Sequence, residues 1–167
     1  MEYMMGDISR CLIEYFENDV RRINHAMKVA SFARSIALEE RVSEKELLII
    51  EICGYLHDVG IKLAEEKYQS SSGKLQEELG PDIVKTLLNN LNIEDDILAR
   101  ICYIIGNHHS YNKIDGIDFQ ILVEADFIVN IYEDNVLKRE VEEVNQRIFR
   151  TITGKSYLKH LYLSEVV

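Results

Sequence analysis

Apolar residues recur every three to four positions along most of the chain, the spacing that gathers side chains on one face of an α-helix. The pattern predicts a short helix over residues 7–17 and a longer one over about 20–40. Asp19 stands at the N-cap of the second, and Ile23, Ala26, Met27, Ala30, Ala33 and Ala37 form its expected apolar stripe. Ser43 with Glu46 three residues on is a capping-box pattern. It opens a third helix that carries Leu47, Ile50 and Leu56 towards the doublet His57-Asp58 and stops near Gly60. Residues 61–80 are less regular, and Ser70-Ser71-Ser72-Gly73 is the clearest loop, read as a flap over a site or a surface excursion. Pro81 suits the first turn of a fourth helix ending near Leu91. A fifth is expected over about 94–108 and a sixth over about 118–133. Residues 138–167 read as one or two more, interrupted near Gly154. With a single proline and abundant Leu, Ile, Glu and Lys, the fold class is all-α.

At 167 residues the chain suits one domain with a substantial core. Its 19 basic and 29 acidic residues give a formal charge of −10, which argues against an electrostatic grip on a nucleic acid polymer. A small phosphorylated substrate stays open, because a bound cation reverses the local sign. Tryptophan is absent and the tyrosines are scattered, so no aromatic and basic strip is present to stack single strands. Cys11, Cys53 and Cys102 have neither zinc-ribbon nor redox spacing and read as small buried apolar side chains. Their odd number suits a reducing compartment, and no charged leader with an apolar stretch and cleavage site opens the sequence. No apolar run approaches the roughly 20 residues that span a bilayer. The expected location is cytoplasmic and off the membrane. There is no internal repeat and no glycine-rich phosphate loop.

The chemistry-bearing residues are few. His57-Asp58 lies in an apolar run and offers a nitrogen and an oxygen donor side by side; His25 and Asp126 sit in apolar, helix-like segments on either side. Nitrogen and oxygen donors of this kind suit Mn, Fe, Zn, Ni, Co or Mg. Each residue also has a plain structural reading. His25 fits a satisfied core histidine, the doublet a helix-end pair, and Asp126 a partner for a buried arginine or a cap. An unpaired carboxylate within Ile121–Val129 would nevertheless be costly, which weights Asp126 towards a site. His108-His109 reads as a ligand or phosphate-facing cation, or as a solvated helix end whose charge suits the dipole. Lys62, with Lys67 and Lys74 behind it, is a candidate for phosphate contact or a solvated lysine. His160 reads as structural or exposed.

The segments Arg22-Ile23-Asn24-His25-Ala26-Met27-Lys28-Val29-Ala30, Gly54-Tyr55-Leu56-His57-Asp58-Val59-Gly60 and Glu124-Ala125-Asp126 together resemble the HD superfamily of metal-dependent phosphohydrolases over about residues 20–130. That resemblance implies an HD-domain-like helical bundle with one to three metal ions in its core, with residues 137–167 as a C-terminal extension. It implies His25, His57, Asp58 and Asp126 as ligands of the primary metal. For a second ion it offers His108 and His109, with Gln76 at the position of a histidine in binuclear members and Glu77 or Glu78 as substitutes. Ile61 occupies the position where some mononuclear members place an acid–base glutamate.

The implied activity is hydrolysis of a nucleotide or other small phosphate ester through a metal-activated water. Asp58 would orient or deprotonate that water, while His108, His109 or Lys62 would offset developing charge. A catalytically silent ligand-sensing or interaction module is the alternative. A metal-dependent oxygenase would need two redox-active irons, and Gln76 counts against it. Residues 61–80 and 110–118 are expected to shape the pocket, with Tyr68, Tyr111 and Asn112 lining it or lying on ordinary loop surface. The tail helices offer a face for a second copy in a homo-oligomer.

Overall fold

The computed structural model describes residues 2–164, with side chains from Met4 onwards, and the regular structure of these residues is all helical with no strand among them. The helices are α1 (Glu2–Phe16), α2 (Val20–Glu39), α3 (Glu44–Leu56), α4 (Gly60–Tyr68), α5 (Gly73–Leu88), α6 (Asp95–Ile105), α7 (Ile117–Glu133), α8 (Lys138–Arg147) and α9 (Ile152–Leu158). A 3-10 turn covers Tyr111–Lys113 and a π turn Lys159–Leu163. Residues 165–167 of the expected tail lie outside the described residues.

Helix α2 is the hub, packing most broadly on α3 and α7, while α3 also meets α1, α6 and α7. Asp19 caps it as expected, accepting from the Arg22 amide. Its buried face is His25, Ala26, Val29, Ala30, Ala33, Ile36 and Ala37. Met27 departs from the expected stripe and is 39 % exposed, because the stripe turns through Val29 and Ile36 and leaves position 27 on the outer side. The small residues on this face allow close approach. A Cβ on Gly54 of α3 would lie 2.7 Å from the Ala30 Cα, so α2 and α3 touch backbone to backbone. That contact brings His25 and His57 to the same depth. Ser43 and Glu46 form the reciprocal capping box that starts α3.

Several expectations need correction. Helix α1 begins at Glu2, before Asp7, because Met4 and Met5 pack on the core and outweigh the cost of about 1 kcal/mol that Gly6 carries in a helix. Residues 61–80 are mostly helical. Helix α4 ends at Gln69 in a left-handed conformation (φ 51°), and Ser72 caps α5 through the Leu75 amide. Only residues 69–72 are non-helical there. Pro81 therefore sits inside α5 and not in its first turn. Gly80 before it has no Cβ to clash with the ring, and packs instead on Ile105 of α6.

Helix α6 stops at Ile105, three residues short of His108. The tail is broken at residues 148–151 and not at Gly154, which lies inside α9 against the Glu124 carboxylate. Cys53 is fully buried, whereas Cys11 and Cys102 are half-buried with their thiols directed at the Leu87 and Pro81 carbonyls. Among the described residues no helix is long and apolar enough to cross a membrane.

Candidate metal centre

Three helices converge on one point: α2 supplies His25, the end of α3 supplies His57 with Asp58 in the turn that follows, and α7 supplies Asp126. His25 Nε2 lies 3.3 Å from His57 Nε2, 3.2 Å from Asp126 Oδ1 and 3.6 Å from Asp58 Oδ2. His57 Nε2 is 3.5 Å from each of Asp58 Oδ2 and Asp126 Oδ1. Donors about 2.0–2.2 Å from a common ion stand roughly 3–3.6 Å apart, so His25, His57 and Asp58 are spaced to fit one divalent cation, and Asp126 lies within the same reach of both imidazoles. The centre has one open side, on which Asp58 is 24 % and Asp126 16 % exposed.

The far side of each imidazole fixes its tautomer. His57 Nδ1 donates to the Gly54 carbonyl at 3.1 Å, and His25 Nδ1 donates to Glu133 Oε2 at 2.9 Å. Both Nε2 atoms are thereby left as bare lone pairs, facing each other and two carboxylates across 3.3 Å. Two acceptor nitrogens and two carboxylates meet without a donor among them. Such an arrangement calls for a cation, and a proton is the weakest one that fits. Burial acts to lower the His57 pKa, but the Asp58 and Asp126 carboxylates more than offset it and push it up to about 9. His25 is raised for the same reason, its burial outweighed by Asp126. Burial would raise Asp58 and Asp126; the facing imidazoles instead hold both well below the usual carboxylate range.

Asp58 also faces a second group. Its Oδ1 lies 3.4 Å from His108 Nε2, a buried nitrogen with no hydrogen-bond partner, while His108 Nδ1 donates to the Ile105 carbonyl at 2.8 Å. His108 is thus a third histidine with its Nε2 lone pair aimed inward, and its burial overturns the solvated helix-end reading. His109 joins Asp58 and His108 within ligand range of one another. Burial, reinforced by His108, lowers its pKa to about 4, so it is neutral at neutral pH.

Gln76 Nε2 donates to the Ser71 carbonyl at 2.9 Å, which turns its carboxamide oxygen to His109 Nε2 at 3.4 Å. The side chain standing for a histidine is therefore at the centre and offers oxygen. Glu77 does not substitute for it: its carboxylate accepts from the His109 amide and the Ser110 hydroxyl. Glu78 is exposed and lines a different groove with Tyr15 and Ile83. Asp58, His108 and His109 form a second group that could hold an ion, and the Gln76 oxygen lies beside His109.

The expected lysine is elsewhere. Lys62 donates to the Tyr15 carbonyl at 2.7 Å and lies over the Tyr15 ring, because the α4 turn that follows Asp58 points it at α1. Lys67 and Lys74 are exposed, as is His160. The centre opens into a cavity of about 540 Å³ whose walls include Arg21, Arg22, Ile61, Glu65, Ser71 and Asp134. Ile61 faces this space, and Glu65 one turn further along α4 shares it. Ser71 places the 69–72 loop at its edge. Tyr68 and Asn112 are exposed and do not line it, whereas Tyr111 packs on Phe127 and lines a separate recess of about 320 Å³ with Arg147 and Arg150.

Sequence reasoning missed Glu133, Asn130 and Arg22. Glu133 orients His25, and Lys28 holds it. Asn130 donates to Asp126 Oδ1 at 2.9 Å, and Arg22 is fixed by Asp19 at 2.6 Å and Glu65 at 2.7 Å. The spacing Asp126, Asn130, Glu133 along one face of α7 carried the signal for the first two.

An all-α bundle with a histidine and aspartate cluster at its centre is the HD architecture. Residues 22–150 match the HD domain family, and the chain belongs to it. The fold is similar to the crystal structure of a predicted HD superfamily hydrolase from an uncultured Thermotogales bacterium, at 20 % identity and a TM-score of 0.70, over 95 % of this chain and 84 % of that one. No curated protein matches the chain.

Proposed function

We propose that this protein is a metal-dependent phosphohydrolase acting on a small phosphate ester, a nucleotide or another phosphomonoester. The observation that carries the reading is the set of three histidines whose Nδ1 atoms are tied to acceptors while their Nε2 lone pairs converge on Asp58 and Asp126. His25, His57, Asp58 and Asp126 would hold the first divalent ion. A divalent ion there supplies Lewis acidity, which brings the pKa of a water from about 16 towards roughly 7. Asp58, with one oxygen towards each donor set, is the residue positioned to orient the attacking water and take its proton. His108 and His109, on the side of Asp58 away from the cavity, would offset charge developing on the phosphoryl group. Arg22, its guanidinium fixed by two carboxylates on the cavity wall, takes the charge-offsetting role expected of Lys62.

Metal analysis of the purified protein, followed by phosphate release from nucleotides and p-nitrophenyl phosphate with added Mn, tests the reading. His57→Ala or Asp58→Ala should abolish release while helicity by circular dichroism survives. Full turnover in either variant would refute the ligand set. Stoichiometric metal without phosphate release from any ester would instead assign the ligand-sensing role.

A further inference from the structure

The walls of the cavity over the centre are polar nearly throughout. Beyond His25, Asp58 and the supporting Asn130 and Glu133 they comprise Asp19, Arg21, Arg22, Glu65, Ser71 and Asp134, with Ile61 as the apolar contribution, and among the described residues no Phe, Tyr or Trp lines the space. Pockets for drug-sized or aromatic ligands are mostly apolar with a few placed polar groups. Here the proportion is reversed. A nucleobase has two broad apolar faces, and this cavity offers no greasy slot and no ring besides the His25 imidazole, which is committed to the cluster. A base face laid on the Asp19–Arg22–Glu65 network, whose ion pairs of 2.6 and 2.7 Å span the wall, would strip its water and return no hydrogen bonds. Two lining charges, Arg21 and Asp134, have no ion-pair partner among the described residues and are available to a ligand. Carboxylates accept from hydroxyls and a guanidinium donates to them, which is the complement of a polyol.

We infer that the substrate is the phosphate monoester of a small hydroxyl-rich alcohol, a sugar or polyol phosphate, and that Arg21, Glu65 and Asp134 read its hydroxyls. This rests on the phosphohydrolase reading above. In the reaction the water oxygen forms a bond to phosphorus as the phosphorus–ester oxygen bond breaks. One water proton passes to Asp58 and on to solvent, and the departing alkoxide takes up a proton from solvent to leave as the free polyol beside inorganic phosphate.

The test is kcat/KM of the Mn-loaded protein for glycerol phosphate and a hexose 6-phosphate against nucleoside 5′-monophosphates, with p-nitrophenyl phosphate alongside. All the biological esters are primary alkyl phosphates, so their ratio reports recognition of the alcohol and not leaving-group chemistry. A preference of about tenfold or more for the polyol phosphates is expected, of the size that one or two hydrogen bonds confer. Asp134→Asn and Arg21→Ala should each raise KM for the hexose phosphate about tenfold and narrow its lead over the nucleotide. Equal or better turnover of nucleoside monophosphates overturns the inference. Turnover of p-nitrophenyl phosphate without any polyol phosphate hydrolysis also overturns it, and leaves the phosphohydrolase reading standing. Release from no ester at all removes that reading and the inference with it.

Discussion

Glu124 and Asp126 are two residues apart on α7, both withdrawn from solvent, and they do opposite things. Glu124 is wholly buried and saturated with donors: the Gln120 amide at 2.7 Å, the Arg150 and Thr151 backbone amides at 2.6 and 3.0 Å, and the Thr151 hydroxyl. Thr151 in turn caps α9 through the Gly154 amide at 2.9 Å. This carboxylate staples the tail to α7. Asp126 has one fixed donor, Asn130, and otherwise faces nitrogen lone pairs. A buried carboxylate whose neighbours are donors belongs to the fold, and one whose neighbours are further acceptors belongs to a cation.

The sharpest way to break that distinction is to remove each carboxylate in turn. Asp126→Ala should eliminate bound metal and lower phosphate release by about a thousandfold or more, which is roughly 4 kcal/mol of barrier. In chelator it should lose only the stability that its contacts with the two imidazoles supply, a smaller fall in Tm than removal of Glu124 causes. Glu124→Ala should do the reverse. Four donors lose their acceptor, so a loss of about 3–5 kcal/mol is expected, a fall in Tm on the order of 10 °C. Turnover per folded molecule should survive. A stable Glu124→Ala protein, or an Asp126→Ala protein that still binds metal, would erase the contrast.

The helices and the primary cluster were legible because both are written locally. Apolar period, Asp19 and the Ser43–Glu46 pair locate α2 and α3, and His57-Asp58 sits where α3 ends. Glu124 was passed over because nothing in its own segment says that residues 148–151 fold back onto it. Pro81 misled for a related reason. Its position inside α5 depends on Gly80 finding Ile105 of another helix, a contact that local pattern does not encode. Lys62 was drawn into the site by adjacency in sequence, but the turn between α3 and α4 sends it to Tyr15.

Glu133, also on α7, lies between the two cases, since it holds His25 from behind and would not itself reach an ion. Glu133→Ala frees His25 Nδ1 and lets the ring turn or change tautomer. Metal affinity, read by competition with a chromogenic chelator, should fall about 10–100-fold, and Glu133→Gln, which keeps an acceptor oxygen, should recover part of it. Equal affinity in both variants and the parent would reduce Glu133 to a partner for Lys28.

Acid–base behaviour sharpens the same point. In the metal-free protein the His57 pKa stands at about 9 against 6.5 for a free imidazole. Protonated His57 therefore contributes stability that is complete below about pH 6.5 and is lost as pH rises through 9. The depressed Asp58 and Asp126 contribute stability above the normal carboxylate range and lose it on acidification. In chelator, Tm should fall between pH 6.5 and 9, and added Mn or Zn should abolish that decline because the ion replaces the proton. A Tm flat across this window in chelator would show that no proton occupies the centre.

The smallest effect is expected where sequence adjacency promised a large one. Arg22 and Lys62 are both cations near the doublet, but Arg22 lines the cavity and Lys62 donates to Tyr15 with Glu17 3.6 Å away. Lys62→Ala should change phosphate release less than about twofold and cost no more than about 1 kcal/mol of stability, the range of a half-exposed hydrogen bond and ion pair. Arg22→Ala should slow release by about tenfold or more, as loss of a charged contact to the phosphoryl group does. Equal losses in the two variants would mean that α4 moves on substrate binding and turns Lys62 into the cavity after all.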